Sequence, residues 1–301
     1  MYFYMLFLGI LGGVCFGIQG PVNTALGKRT DVFQASLISF FGGMIISGLI
    51  AVFLGNGDFL LLKEVKFWQC LGGIYGIINV CVTVAAIPVL GAALSFTLIM
   101  LGQILSGAVI DFFGLFGSLK TQLSISRIFG ILIIIIGVIL IYFGSIKKSE
   151  KEVKSNKWKI FFMIISSLLA GILGAMQSPT NASLAKLIGN WEGTFISFFV
   201  GTLALILVVL IKNKGRLKTM KNAGIRPWMM IGGSYGVLGI FLNLYTVQFL
   251  GTTLLVSCTM IGQLSAGLII DTFGLIQTKK VKINFIRILG IIVIAIGILL
   301  A

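Results

Sequence analysis

The chain has 301 residues, of which 58% are hydrophobic and only 10% charged, with a mean hydropathy of +1.11. A soluble domain carries far more polar surface, so the composition excludes one and predicts an all-α membrane protein. The formal net charge of +15 does not point to nucleic acid, because the basic residues sit in short loops between apolar runs rather than along one face.

Ten apolar runs near the ~20 residues that span a bilayer follow one another at 2–19, 33–54, 68–88, 91–111, 126–145, 158–177, 192–211, 228–248, 252–271 and 285–301. The first opens Met-Tyr-Phe-Tyr-Met with no basic stretch before it, so it reads as a retained helix and not as a cleaved signal. Gly9, Gly13 and Gly17 give that helix one small face for close packing in lipid. It closes on Gln19-Gly20-Pro21-Val22-Asn23-Thr24-Ala25-Leu26. A proline removes a backbone donor and disturbs the preceding turn. Carbonyls freed that way in lipid need protein or a watered cavity, so the segment predicts a broken helix. It returns as Gln177-Ser178-Pro179-Thr180-Asn181-Ala182-Ser183-Leu184, 158 residues later.

The same offset links Ser39-Phe40-Phe41-Gly42-Gly43 to Ser197-Phe198-Phe199-Val200-Gly201. Beyond that the offset is 160, through Trp68 and Trp228, Gly72-Gly73-Ile74-Tyr75-Gly76 and Gly232-Gly233-Ser234-Tyr235-Gly236, and Met100-Leu101-Gly102-Gln103 and Met260-Ile261-Gly262-Gln263. It continues through Asp111-Phe112-Phe113-Gly114-Leu115 and Asp271-Thr272-Phe273-Gly274-Leu275, then Arg127 and Arg287. Rare polar residues hold this register, so shared hydrophobicity does not explain it. The chain is an internal repeat: residues 1–146 form a first five-helix unit, 147–157 a charged linker, and 158–301 a second unit.

An odd number of helices per unit turns the second upside down. The loops on one side, together with the run ends that adjoin them, hold 18 Lys and Arg, those on the other 5. The richer side is predicted to be cytoplasmic, with both termini outside.

Inverted repeats place solute sites near the midplane, at the repeat interface. Gln19, Asn23, Gln177 and Asn181 flank the two prolines, and their amides offer donors and acceptors; they either contact a solute or glue the helices. Gln103 and Gln263, mid-helix, need either a neighbouring helix or a watered cavity. Tyr75 and Tyr235 either stack on a solute or pack with a hydroxyl bond. Asn79 has Gly239 at its repeat position, and Asn243 lies one turn further on. Asp111 and Asp271 lie at helix ends, and Arg127 and Arg287 begin the next helices, each on the same membrane side as its acid; they form interfacial ion pairs or serve as coupling carboxylates. No acid lies mid-run, which favours a neutral or zwitterionic solute over a cation exchanged at a buried glutamate. Cys15, Cys70, Cys81 and Cys258 all lie in apolar runs, and the chain has no His. No metal site, cofactor or hydrolytic constellation is expected.

The Gln-x-Pro-x-Asn segment, the Trp-x3-Gly-Gly-x-Tyr-Gly block, the Gly-Gln helix and the Asp-x-Phe-Gly-Leu end, each present twice, resemble the drug/metabolite transporter superfamily. Within it they resemble the YdcZ-like branch of five-helix units, here as a fused antiparallel pair. The resemblance implies export or exchange of small metabolites or drugs by alternating access in the inner or plasma membrane. The related small multidrug exporters use a glutamate in their first helix. The corresponding region here offers Cys15, Gln19 and Asn23. The expected partners are the lipid bilayer and a small neutral, zwitterionic or weakly cationic solute, with one chain able to serve as the functional unit. A non-transporting subunit of a membrane complex, or a lipid-handling one, is the alternative that the small-residue faces also fit.

Overall fold

The computed structural model describes residues 2–90, 92–122, 124–149, 157–213, 224–278 and 285–300. Its helices are α1 (Tyr2–Gly27), α2 (Val32–Leu54), α3 (Gly72–Leu90), α4 (Ala92–Phe113), α5 (Ile125–Ser149), α6 (Lys157–Ile188), α7 (Asn190–Asn213), α8 (Gly232–Phe273) and α9 (Phe285–Leu300). Among the described residues there is no strand. Hydrocarbon offers no partner to a backbone N–H or C=O, so each crossing segment closes its hydrogen bonds within its own helix. Seven helical segments are long and apolar enough to cross a membrane, and Ile128–Ile141 and Phe285–Gly297 are shorter apolar helices.

The longest segment, Pro227–Phe273, has 47 residues and supplies two crossings. Gly251 interrupts α8 with φ 74° and ψ 174°, a conformation that essentially only glycine adopts. The contacts of α1 show that the chain reverses there. Along the first arm of α8, Asn23 lies against Gly232, Gln19 against Gly236, Phe16 against Gly239 and Gly12 against Asn243, an antiparallel pairing. Along the second arm, Gly9 meets Cys258, Gly13 meets Thr259 and Gly17 meets Gln263, a parallel one. The two arms therefore run in opposite directions, so among the described residues the seven long segments supply eight crossings, and the two shorter apolar helices complete the ten that the sequence predicts.

The second copy repeats this packing with the roles exchanged. Asn181 of α6 lies against Gly72, Gln177 against Gly76 and Gly174 against Asn79, while Gly171 meets Ile99 in parallel. Counterpart helices also pair with each other, and they do so antiparallel. In α2 and α7, Phe40 covers Gly201 and Phe198 covers Gly43, with the two rings 5.3 Å apart. In α5 and α9, Gly137 packs against the Gly290 carbonyl and Gly297 against that of Gly130. When residue i of one unit meets j of the other and j meets i, the units are related by a two-fold axis. Antiparallel counterparts place that axis in the membrane plane, so the protein is a pair of inverted five-helix repeats.

Pro21 and Pro179 lie inside continuous helices. The breaks predicted there are absent, because one missing hydrogen bond does not end a helix packed on both sides by neighbours. The interruption of α8 at Gly251 falls where the predicted run 228–248 gives way to the run 252–271. Of the predicted charged linker, α5 takes in residues through Ser149 and α6 begins at Lys157; residues 150–156 lie outside the described residues. The lipid-facing perimeter is apolar, with Phe3, Val52, Phe53, Ile211 and Phe285 among its most exposed side chains.

Candidate functional site

The two-fold arrangement leaves one cavity at its centre. Its water-accessible volume is about 80 Å³, several times the ~10–15 Å³ that one water needs on that measure. Helices α1 and α6 form opposite walls, α3, α4 and both arms of α8 the remainder, and Phe40 and Phe198 close it where α2 meets α7.

The carboxamides predicted from the repeat all line this cavity: Gln19 and Asn23 from α1, Gln177 and Asn181 from α6, Gln103 from α4 and Gln263 from α8. Asn79 and Asn243, read in the sequence as a mismatch between the copies, join them and bring the amides to eight. Among the described residues none that lines the cavity is ionisable. Gln103, Gln177 and Gln263 are half-buried, whereas Asn23 and Asn181 are each 1% exposed. Neither Oδ1 nor Nδ2 of Asn23 has a protein hydrogen-bond partner, and Oδ1 of Asn181 and of Asn243 has none. A buried amide atom left unpaired costs about 1–3 kcal/mol, so these walls hold hydrogen-bonding capacity that the protein itself does not use. Both asparagines owe their position to a glycine, since a Cβ on Gly72 would collide with Asn181 and one on Gly232 with Asn23.

Tyr75 and Tyr235 are half-buried and do not line the cavity. On α3 the cavity face is Gly76, Asn79, Val80, Thr83 and Val84. Tyr75 precedes that face by one residue, about 100° round the helix. The aromatic surfaces inside the cavity come from Phe16, Phe40, Phe96 and Phe198. Nothing in the spacing of these phenylalanines separates them from the many that face lipid; only Phe40 and Phe198 carried a signal, as members of the repeat.

Of the predicted acid–arginine sets, Asp111, Asp271 and Arg287 do not line the cavity. Asp271 sits at 3.9 Å from Arg287, Oδ2 to Nη1. Asp111, with no exposed surface, accepts hydrogen bonds from the Thr252 and Thr253 backbone N–H groups, both at 2.8 Å, from Thr253 Oγ1 at 2.7 Å and from Ser118 Oγ at 2.8 Å. It caps the second arm of α8 just past Gly251, where the first N–H groups of a helix lack internal partners and the helix dipole favours a negative charge. The side chain of Arg127 lies outside the described residues.

The sequence family described as "Putative inner membrane exporter, YdcZ" matches residues 4–140 and, a second time, residues 162–300. The chain belongs to that family. Each match covers one five-helix unit, which identifies this YdcZ-family protein as a transmembrane exporter of the drug/metabolite transporter type in the inner membrane. Comparison with curated proteins gives no match. A solved structure described only as "Crystal structure of protein" superposes with a TM-score of 0.60 at 13% sequence identity, over 96% of this chain and 97% of its own. That likeness supports the fold alone.

Proposed function

We propose that this YdcZ-family exporter moves a small solute that is neutral, zwitterionic or weakly cationic, by alternating access of the central cavity to the two membrane faces. The observation that carries the reading is a cavity at the repeat seam whose walls, among the described residues, hold eight carboxamides and no ionisable side chain. Inverted repeats that rock against each other expose a site on their common axis first to one side and then to the other. The glycine-mediated contacts of α1 with α8 and of α6 with α3 and α4 supply surfaces that slide without bulky side chains to unlock. The face rich in Lys and Arg is cytoplasmic and both termini are outside. One chain holds both halves of the seam and suffices as the working unit.

The test is efflux from proteoliposomes across a panel of amino acids, sugars, nucleosides, organic cations and organic anions, for wild type and for Gln103→Ala/Gln263→Ala. We expect a neutral or zwitterionic member to be moved and the double variant to lower its rate about tenfold or more, the loss of one to two hydrogen bonds in the cavity. Unchanged flux in the double variant removes the cavity from the transport route. No flux of any member, with co-purification of a membrane complex, favours the non-transporting reading.

A further inference from the structure

The two walls that the repeat should make alike share their Gln and Asn amides but differ in polarity at the positions between them. On α1 the cavity face presents Phe16 and, one turn on, Gly20, which is covered by Phe96: a Cβ on Gly20 would come 2.9 Å from the Phe96 ring. Phe16 lies against Gly239. On α6 the counterparts of Phe16 and Gly20 are Gly174 and Ser178. Gly174 is covered by two carboxamides, with a Cβ there coming 2.7 Å from Asn79 and 2.9 Å from Gln103. The position of Phe96 is taken in the other unit by Val256, and that of Asn79 by Gly239. Exposure follows the same division, since Gln177 and Ser178 are half-buried while Gln19 is 6% exposed and Gly20 is buried. At these positions the α1 wall is phenyl, beside its own Gln19 and Asn23 amides, and the α6 wall is amide and hydroxyl.

We propose that the solute of this cavity is uncharged and two-sided, with a hydrogen-bonding edge held by Asn79, Gln103 and Gln177 along α6 and an apolar or planar face laid against Phe16 and Phe96 along α1. This rests on the reading that the central cavity holds the exported solute, and narrows its class. Carboxamides satisfy donors and acceptors alike, so the edge is of amide, hydroxyl or nucleobase type. A full charge, and equally the two charges of a zwitterion, would leave water for walls that offer no counter-charge, and that desolvation is not repaid. A uniformly polar solute would leave the phenyl wall against its own polar groups.

Purified full-length protein in nanodiscs, titrated with four matched probes, tests this: benzamide (neutral and two-sided), benzoate and benzylammonium (its charged isosteres), and acetamide (the edge without the face). Melting-temperature shifts report binding. Benzamide is expected to act at concentrations about tenfold or more below the other three, the effect of one buried polar mismatch. Replacing each key residue by its repeat counterpart divides the two walls. Asn79→Gly is expected to weaken benzamide about tenfold, and Phe16→Gly to abolish its advantage over acetamide. Phe16→Leu, which keeps the apolar wall and the helix, is expected to retain that advantage. Benzoate or benzylammonium binding as well as benzamide overturns the proposal, as does an order of probes that neither Asn79→Gly nor Phe16→Leu and Phe16→Gly together resolve as stated, or no binding of any probe to the folded protein. Loss of selectivity alone leaves the exporter reading standing. Selective binding combined with efflux insensitive to Gln103→Ala/Gln263→Ala would instead sink the exporter reading and leave the polarity of the site.

Discussion

Asp111 shows how far a residue can be understood from its own neighbourhood in the chain. The sequence marks it as an acid at a helix end with an arginine on the same side, open to an ion-pair or a coupling role. Its hydrogen bonds include three from Thr252 and Thr253, 141 and 142 residues away, and no local pattern announces them. They are charge-assisted and buried, which makes them stronger than ordinary ones. Asp111→Asn is expected to lower stability by about 1–3 kcal/mol, read as a fall in melting temperature, and Thr253→Ala by about 1 kcal/mol. An unchanged melt in both variants would show that the cap contributes nothing. The carboxamides were legible for the opposite reason. Gln19, Asn23, Gln103 and their copies are rare polar residues in apolar runs, and a duplicated register singles them out. Asn181 against Gly72 gives a further check: Gly72→Ala and Gly232→Ala each place a methyl group where an asparagine side chain stands. Each is expected to cost about 1–3 kcal/mol by overpacking, measured by thermal unfolding in detergent.

At the scale of the element, the prolines do not break their helices, while the reversal at Gly251 falls at a boundary between two predicted runs. Pro21 and Pro179 are the visible helix breakers, yet α1 and α6 run through them. Their helices are gripped along most of their length by α8 in one case and by α3 and α4 in the other, and tertiary contact outweighs one lost bond. The chain reversal falls at Gly251, in the short gap between the predicted runs 228–248 and 252–271. There the backbone conformation itself selects glycine, and Asp111 holds the helix that restarts beyond it. Gly251→Ala is expected to lower stability by about 1–3 kcal/mol, whereas Gly42→Ala, where a Cβ meets open space, is expected to change it little. Equal effects of the two would mean that the hinge is not strained by a side chain. The apolar runs themselves were placed well because ~20 residues of hydrocarbon-compatible sequence is a physical length requirement; their ends were not, since helices overshoot into polar caps such as Asn23 to Gly27 in α1.

For the whole molecule, the duplication in the sequence carried the inverted architecture, and the divergence between the copies carries the chemistry. Lys28 and Lys186 occupy equivalent, exposed positions 158 residues apart. Lys28→Cys and Lys186→Cys are expected to react with an impermeant thiol reagent from opposite sides of the membrane; labelling from one side would contradict the inversion. What no single-sequence reading could supply is which polar residues meet. Phe16 and Gly174, or Asn79 and Gly239, are mere mismatches until the fold brings each beside the same cavity. The most direct test of that cavity as the solute's path uses Gln103→Cys in a chain whose Cys15, Cys70, Cys81 and Cys258 are alanine. In sealed vesicles of either orientation the impermeant reagent is expected to reach position 103 from both sides, with a bound solute slowing both reactions. Protection of position 103 from both sides, while cysteine at Lys28 or Lys186 labels freely, would contradict the account.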